Sequence, residues 1–106
     1  MLLKEKLSMK NRQIIVHHGL EEQLIQLSEE CAELIHAACR MRRVMVNKEG
    51  QDEYGKRLTD LKEEITDVLV ILDQVAPVVG LHVDELESLA DYKIDREIAR
   101  MKDEMG

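Results

Sequence analysis

The stretch QLIQLSEECAELIHA, residues 23–37, decides the fold of this chain. Its apolar residues recur at intervals of three and four positions, which places them on one face of a helix. The same spacing continues on both sides and predicts a long helix over residues 20–46. The apolar face consists of Leu24, Leu27, Cys31, Leu34, Ile35, Ala38, Met41 and Met45.

A second stretch, LKEEITDVLVILDQV at residues 61–75, repeats this pattern. A shift of 34 residues superposes its apolar positions on those of the first stretch. The spacing predicts a second long helix over residues 54–76, ended by Pro77 and Gly80. Its apolar face consists of Leu58, Leu61, Ile65, Val68, Leu69, Leu72 and Val75.

The second predicted helix also carries apolar residues outside its main face. Val70 and Ile71 lie there, and we expect a subunit contact to cover them. The two long helices are predicted to pack as an antiparallel pair. At this chain length a single core is adequate but not generous, so help from a partner subunit is expected. We therefore predict an all-α bundle with an oligomeric four-helix-type core, in a homodimer or a homotetramer.

The remaining segments are shorter or more polar. Residues 1–18 are predicted to form an N-terminal arm or short helix, which Gly19 ends. The segment NKEGQDEYG, residues 47–55, is polar and contains two glycines, so it is predicted to be the main loop. The spacing of apolar residues predicts a last helix over residues 83–101. The chain is expected to be one domain, with residues 19–106 as its helical part.

The composition excludes several classes of protein. The formal net charge of −7 argues against binding to a nucleic-acid polymer, because that affinity comes mainly from Lys and Arg at phosphates. No stretch approaches transmembrane length, and the start MLLKEKLSMK lacks the unbroken apolar run of a signal peptide. We therefore expect a cytoplasmic protein that acts without a membrane.

The two cysteines are not expected to form a disulfide. Cys31 and Cys39 lie on one predicted helix, about 12 Å apart along its axis at 1.5 Å per residue. That separation exceeds the reach of a disulfide bond. We predict that both are reduced thiols and small core residues.

Each long helix carries a pair of acidic residues beside its apolar face. The pairs are Glu30 with Glu33, and Glu64 with Asp67, each spaced i, i+3. Packing the helices against each other would bring the pairs together at one edge of the core. Two unit charges about 5 Å apart repel by about 3 kcal/mol at an effective dielectric constant of 20. A divalent cation removes that cost, and ligands that are all carboxylates favour Mg²⁺ or Mn²⁺ over zinc.

Two other interpretations of these residues were weighed. Glutamates on helices usually form solvated faces, which leaves a non-catalytic role open. Di-iron bundles use a Glu-x-x-His motif on two helices. Glu33 and His36 fit that motif once, but Asp67 is followed by Val70 at the matching position. The absence of a second histidine makes di-iron chemistry a poor fit to this sequence.

The two quoted stretches together resemble the paired motif of the MazG-like all-α nucleoside triphosphate pyrophosphohydrolases. This group is related to dimeric dUTPases and to phosphoribosyl-ATP pyrophosphohydrolase. The resemblance extends to residues 90–101, ADYKIDREIARM, which are similar to the basic third-helix segment of smaller members. It implies that four acidic residues bind Mg²⁺ and are catalytic: Glu30, Glu33, Glu64 and Asp67.

The reaction that the resemblance implies is hydrolysis of a nucleoside triphosphate to the monophosphate and pyrophosphate. A metal-activated water would attack phosphorus, with Mn²⁺ as a possible substitute for Mg²⁺. Glu29 or Glu63 is a candidate to orient that water, although each also reads as a solvated neighbour. The rival hypothesis is a non-catalytic helical protein whose acidic face binds a partner.

Candidate residues for the substrate lie on two helices. Lys93 and Arg96, with Arg100, form a basic stripe that would clamp phosphate oxygens or simply face solvent. Gln23 lies on the same side of its helix as Glu30 and is either a base contact or an ordinary surface glutamine. The basic residues that end the first long helix complement its dipole, which is a sufficient account of them. These are Arg40, Arg42 and Arg43.

Overall fold

The computed structural model describes residues 2–106, and in that range the chain forms helices and no β-strand. The helices in chain order are α1 (Glu5–His18), α2 (Leu20–Asn47), α3 (Gln51–Val78) and α4 (Val83–Met105). The all-α class and the two long helices are therefore confirmed. The predicted N-terminal segment forms a regular helix, and Gly19, at φ 88°, separates it from α2.

Helices α2 and α3 form an antiparallel hairpin. Gln23 near the start of α2 lies 2.6 Å from Gln74 near the end of α3. Further along α2, Glu33 lies beside Glu64 of α3. Lys48 ends α2 in the left-handed conformation, at φ 52°. The acidic pairs of the two helices therefore come to the same level of the hairpin, as the sequence predicted.

The predicted loop over residues 47–55 is wrong in its length, because α3 already begins at Gln51. Asp52 and Glu53 lie in the first turn of α3, where negative charge is stabilised by the helix dipole. Glu53 also forms an ion pair of 2.8 Å with Arg57 one turn later. These local interactions turn half of the polar segment into helix.

The other end of α3 also extends further than predicted. The helix continues through Pro77 and ends at Val78. A proline in the last turn removes one backbone hydrogen bond without stopping the turn that precedes it. Gly80, with φ 79°, lies in the turn that follows and lets the chain change direction.

Helix α1 packs against the last third of α3. Ile15 of α1 forms a buried cluster with Ile71 and Val75. Part of the apolar surface that the sequence assigned to a subunit contact is thus covered within the chain. The prediction that a partner subunit covers Ile71 is wrong, because α1 does so.

A chain of buried polar side chains joins α1, α2 and α3. Gln23 donates to Gln74, Gln74 donates to Asn11 at 3.0 Å, and Asn11 donates to Asp73 at 2.8 Å. All four residues are at most 6 % exposed. The interpretation of Gln23 as a surface glutamine is therefore wrong. Its partner lies 51 positions away in the sequence, and no local pattern indicates it.

Asp73 is the most enclosed member of this chain, with 2 % of its surface exposed. Burial opposes its ionisation, but the carboxylate accepts hydrogen bonds from Asn11, from the backbone N–H groups of Leu2 and Leu3, and from Ser8. These donors outweigh burial and hold the pKa of Asp73 below its ordinary value. The carboxylate thereby fastens the segment before α1 to α3.

Helix α4 turns away from the hairpin. Its axis makes an angle of 115° with that of α3, and within residues 2–106 it packs against no other helix. Its predicted apolar side therefore has no cover, and Ile94 is 58 % exposed. No single helix in the described chain is long and apolar enough to cross a membrane, and only α3 and α4 taken together pass that test.

The hairpin itself also leaves apolar side chains uncovered. Leu24 and Ile35 of α2, and Ile65 and Leu69 of α3, are each at least 43 % exposed. At about 100° per residue, Leu24 and Ile35 lie nearly opposite Glu33 on α2, and Ile65 and Leu69 lie nearly opposite Asp67 on α3. We call these four apolar residues the apolar strip. Cys39 is likewise exposed, which corrects its predicted place in the core, and Cys31 is half-buried.

Candidate metal centre

Three carboxylates from two helices meet at the middle of the hairpin. Glu30 and Glu33 of α2 and Glu64 of α3 each place one carboxylate oxygen so that the three lie within 4.8 Å of one another. The i, i+3 spacing presents the two α2 residues on adjacent turns, and antiparallel packing brings Glu64 opposite them. The sequence predicted this convergence for all three residues.

Two of these three carboxylates each have one oxygen that is buried without a partner. The Oε2 atoms of Glu30 and Glu64 are inaccessible to solvent and form no hydrogen bond within the described chain. The other oxygen of Glu30 accepts a hydrogen bond of 3.0 Å from Gln26. A buried carboxylate oxygen without a donor is costly, and such atoms require an explanation. A cation between the two helices would supply the missing interaction.

The electrostatics of Glu64 also point to a missing positive charge. Desolvation is the largest cause that raises the pKa of Glu64, followed by the negative charges of Glu33 and Asp67. The negative charge of Glu30 raises the pKa further. Glu64 thus resists ionisation when no cation is bound. A bound cation reverses this effect, because it favours the ionised carboxylates.

The donor set fits a hard divalent cation. The cluster offers carboxylate oxygens and no nitrogen or sulfur ligand within the described chain. Mg²⁺ binds oxygen at about 2.0–2.1 Å, so two oxygens on opposite sides of one ion lie about 4.2 Å apart. The observed limit of 4.8 Å is close to that separation. Glu30, Glu33 and Glu64 would therefore hold Mg²⁺ or Mn²⁺ after small side-chain movements.

The fourth predicted ligand lies beside this cluster. Asp67 is exposed and lies outside the group of three, yet its charge is among those that raise the pKa of Glu64. It therefore stands near the cluster, one turn along α3. Glu29 and Glu63, the candidates for orienting water, are exposed and also lie outside it.

The structure does not bring the predicted substrate-binding residues to the cluster. Lys93 and Arg96 lie on α4, where both are exposed, and α4 packs against none of the other helices described. Gln23 is buried and occupied by its hydrogen bond with Gln74. Within one copy of residues 2–106, these three residues and the carboxylates do not form a common site.

A small cleft adjoins the carboxylates on the side of the α2–α3 turn. Glu33 and Glu64 form one end of it, and Arg40 and Arg57 also line it. The sequence explained Arg40 by the helix dipole alone, and this interpretation missed the cleft. The signal was present, because Arg40 lies seven positions after Glu33 and therefore on the same side of α2.

Comparisons with known proteins return no match. No family model matches the chain, and neither a curated protein nor a solved structure does so.

Proposed function

We propose that this chain is a Mg²⁺-dependent nucleotide pyrophosphohydrolase of the MazG-like kind, acting in the cytoplasm. Its substrate would be a nucleoside triphosphate or a related nucleotide, and its products the monophosphate and pyrophosphate. The observation that carries this proposal is the pair of buried, unpartnered Oε2 atoms of Glu30 and Glu64, contributed by two different helices. A solvated acidic face does not bury carboxylate oxygens without donors.

In this proposal, each carboxylate has a defined task. Glu30 and Glu33 of α2 and Glu64 of α3 would hold the cation, and Gln26 fixes the orientation of Glu30 through its hydrogen bond. Asp67, one turn along α3 from Glu64, would be a further ligand. Bound Mg²⁺ supplies an activated water, screening of the polyphosphate and stabilisation of the leaving pyrophosphate.

The bond changes are those of an anhydride hydrolysis. The oxygen of water forms a bond to the α-phosphorus, and the bond from that phosphorus to the bridging oxygen breaks. The proton lost by the water passes to a carboxylate and then to solvent. An exposed acidic residue such as Glu29 or Glu63 can accept it. Pyrophosphate leaves with the bridging oxygen.

The proposed enzyme is a homo-oligomer, a homodimer or homotetramer. The apolar strip of Leu24, Ile35, Ile65 and Leu69 is exposed along one side of the hairpin. Pairing two hairpins through this strip would form a four-helix core and leave both carboxylate clusters open to substrate on the outside. Helix α4, which packs on no other helix within residues 2–106, would gain a surface to cover. Its Lys93 and Arg96 would then bind phosphates at a neighbouring copy.

We expect Leu69→Lys to weaken this assembly, because it places a charge in the centre of an apolar contact. Sedimentation equilibrium should show two or more chains per particle for the wild type and monomers for the variant at micromolar concentration. Thr59→Lys adds the same charge at an exposed position of α3 outside the strip and serves as the control. A monomeric wild type would refute the proposed assembly.

The activity itself is tested with purified protein, Mg²⁺ and a panel of nucleoside triphosphates. We expect pyrophosphate release from at least one nucleotide, loss of release in EDTA, and recovery with Mg²⁺ or Mn²⁺. Mg²⁺ alone should raise the Tm, because it binds the folded cluster and not the unfolded chain. If no nucleotide of the panel releases pyrophosphate and Mg²⁺ leaves the Tm unchanged, the rival interpretation is supported. In that interpretation the chain is a helical protein that binds a partner through its acidic face.

A further inference from the structure

We propose that Arg40 binds the terminal phosphates of the substrate in the cleft beside the carboxylates, an assignment that rests on the proposed function. The polyphosphate would then run from the metal centre toward the α2–α3 turn, and the nucleoside would point the other way. Neither the motif resemblance nor the helix-dipole account assigns this residue to the substrate.

The position of Arg40 relative to the metal centre supports this direction. Arg40 follows Glu33 by two helical turns, about 10.5 Å along the axis. Side chains on an α-helix lean toward its N-terminus, so Arg40 leans back toward Glu33. Arg57 precedes Glu64 by the same distance on α3, and for the same reason it leans away from Glu64. Arg57 is also held between Glu53 and Asp60 of its own helix, so Arg40 is the better candidate of the two arginines that line the cleft.

Arg40 and Arg57 also differ in whether a neighbouring carboxylate compensates their charge. Arg57 forms ion pairs of 2.8 Å with Glu53 and 3.1 Å with Asp60, so its charge is compensated on its own helix. Arg40 is half-buried, and within residues 2–106 it forms neither an ion pair nor a side-chain hydrogen bond. Its guanidinium is available for an anion, and its planar donor geometry matches two phosphate oxygens at once.

The size of the cleft limits which part of a nucleotide it can hold. Its volume is about 190 Å³. Pockets for whole small molecules measure roughly 300–1,000 Å³. The cleft suits phosphate groups and their counterion, whereas a base with its sugar must lie outside it.

The test measures binding of inorganic pyrophosphate and of Mg²⁺ by calorimetry. We expect Arg40→Gln to weaken pyrophosphate binding in saturating Mg²⁺ at least tenfold, while the affinity for Mg²⁺ alone stays that of the wild type. Arg40→Lys should retain part of the affinity, because it keeps the charge and loses the planar fork. Arg43→Gln is the matched control, since Arg43 is exposed outside the cleft. Circular dichroism verifies that each variant is folded.

Four outcomes would overturn the assignment, and they separate it from the proposed function. If Arg40→Gln binds pyrophosphate as the wild type does, Arg40 has no phosphate role, while Mg²⁺-dependent hydrolysis still stands. If the variant loses affinity for nucleotides and keeps it for pyrophosphate, Arg40 contacts the nucleoside instead. If the wild type binds Mg²⁺ but not pyrophosphate, the cleft does not bind phosphate. If the wild type binds neither ligand, the result also contradicts the proposed enzyme.

Discussion

Glu64→Gln is expected to lower kcat/KM for nucleotide hydrolysis about 10²–10³-fold, the equivalent of roughly 3–4 kcal/mol of transition-state stabilisation. The substitution removes the ligand that α3 contributes to the three-carboxylate group, and with it the charge that faces the cation from that helix. Calorimetry should show weaker Mg²⁺ binding in parallel. Steady-state assays at several Mg²⁺ concentrations measure whether excess metal restores part of the rate.

A matched substitution separates this effect from a general loss of negative charge. Glu22→Gln also removes one carboxylate, at an exposed position in the first turn of α2. It should leave kcat/KM within about twofold of the wild type. Equal activity of the Glu64 variant and the wild type would show that these carboxylates do not hold the catalytic cation.

The same variant should change the dependence of stability on pH in metal-free protein. The pKa of Glu64 is raised from its ordinary value of 4.5, so its ionised form opposes folding. This cost is absent well below pH 4.5 and grows as pH rises through the raised pKa. Metal-free Glu64→Gln should therefore melt at a higher Tm than the wild type at neutral pH. The difference should vanish in acid and reverse when Mg²⁺ is added.

Asp73→Ala is expected to reduce the free energy of unfolding by about 2–4 kcal/mol, because it removes the acceptor that several buried or partly buried donors share. Those donors are the side chain of Asn11, the hydroxyl of Ser8 and the backbone N–H groups of Leu2 and Leu3. Urea denaturation followed by circular dichroism measures the change. For a domain of this size the loss corresponds to a large fraction of total stability.

The pH dependence of this second effect has the opposite sign to that of Glu64. The pKa of Asp73 is lowered from its ordinary value of 3.8, so its ionised form stabilises the fold above that pH. The difference between wild type and variant should stay constant near neutrality and shrink as pH falls below 3.8 through the lowered pKa. Asp95→Ala, at an exposed position of α4, should cost less than about 0.5 kcal/mol at any pH. A similar cost for both variants would contradict the role of Asp73.

The elements that the sequence predicted well are those specified by local patterns. Spacings of three and four located α2 and α3 to within a few residues, and Gly19 marked the break before α2. The acidic pairs could be placed together because their distance from the apolar face is the same on both helices. Three of the four residues do come together, at Glu30, Glu33 and Glu64.

The features that the sequence did not predict depend on contacts between distant residues. The hydrogen bond between Asn11 and Asp73 spans 62 positions, and neither residue interrupts the local pattern around it. The isolation of α4 also escaped prediction, since an amphipathic pattern shows that a helix has an apolar side but not what covers it. The cleft at Arg40 exists only because two helices pack side by side.

The buried amides of Asn11 and Gln74 fix how α1 sits on α3. An apolar contact such as that of Ile15 with Val75 tolerates sliding, because dispersion and burial have little directionality. A slip of α1 by a single helical turn, about 5.4 Å, would break both hydrogen bonds that Asn11 forms with α3, the one to Asp73 and the one from Gln74. The buried hydrogen bonds thus specify the register of α1 on α3. They do so whether they increase or decrease the free energy of packing between the two helices.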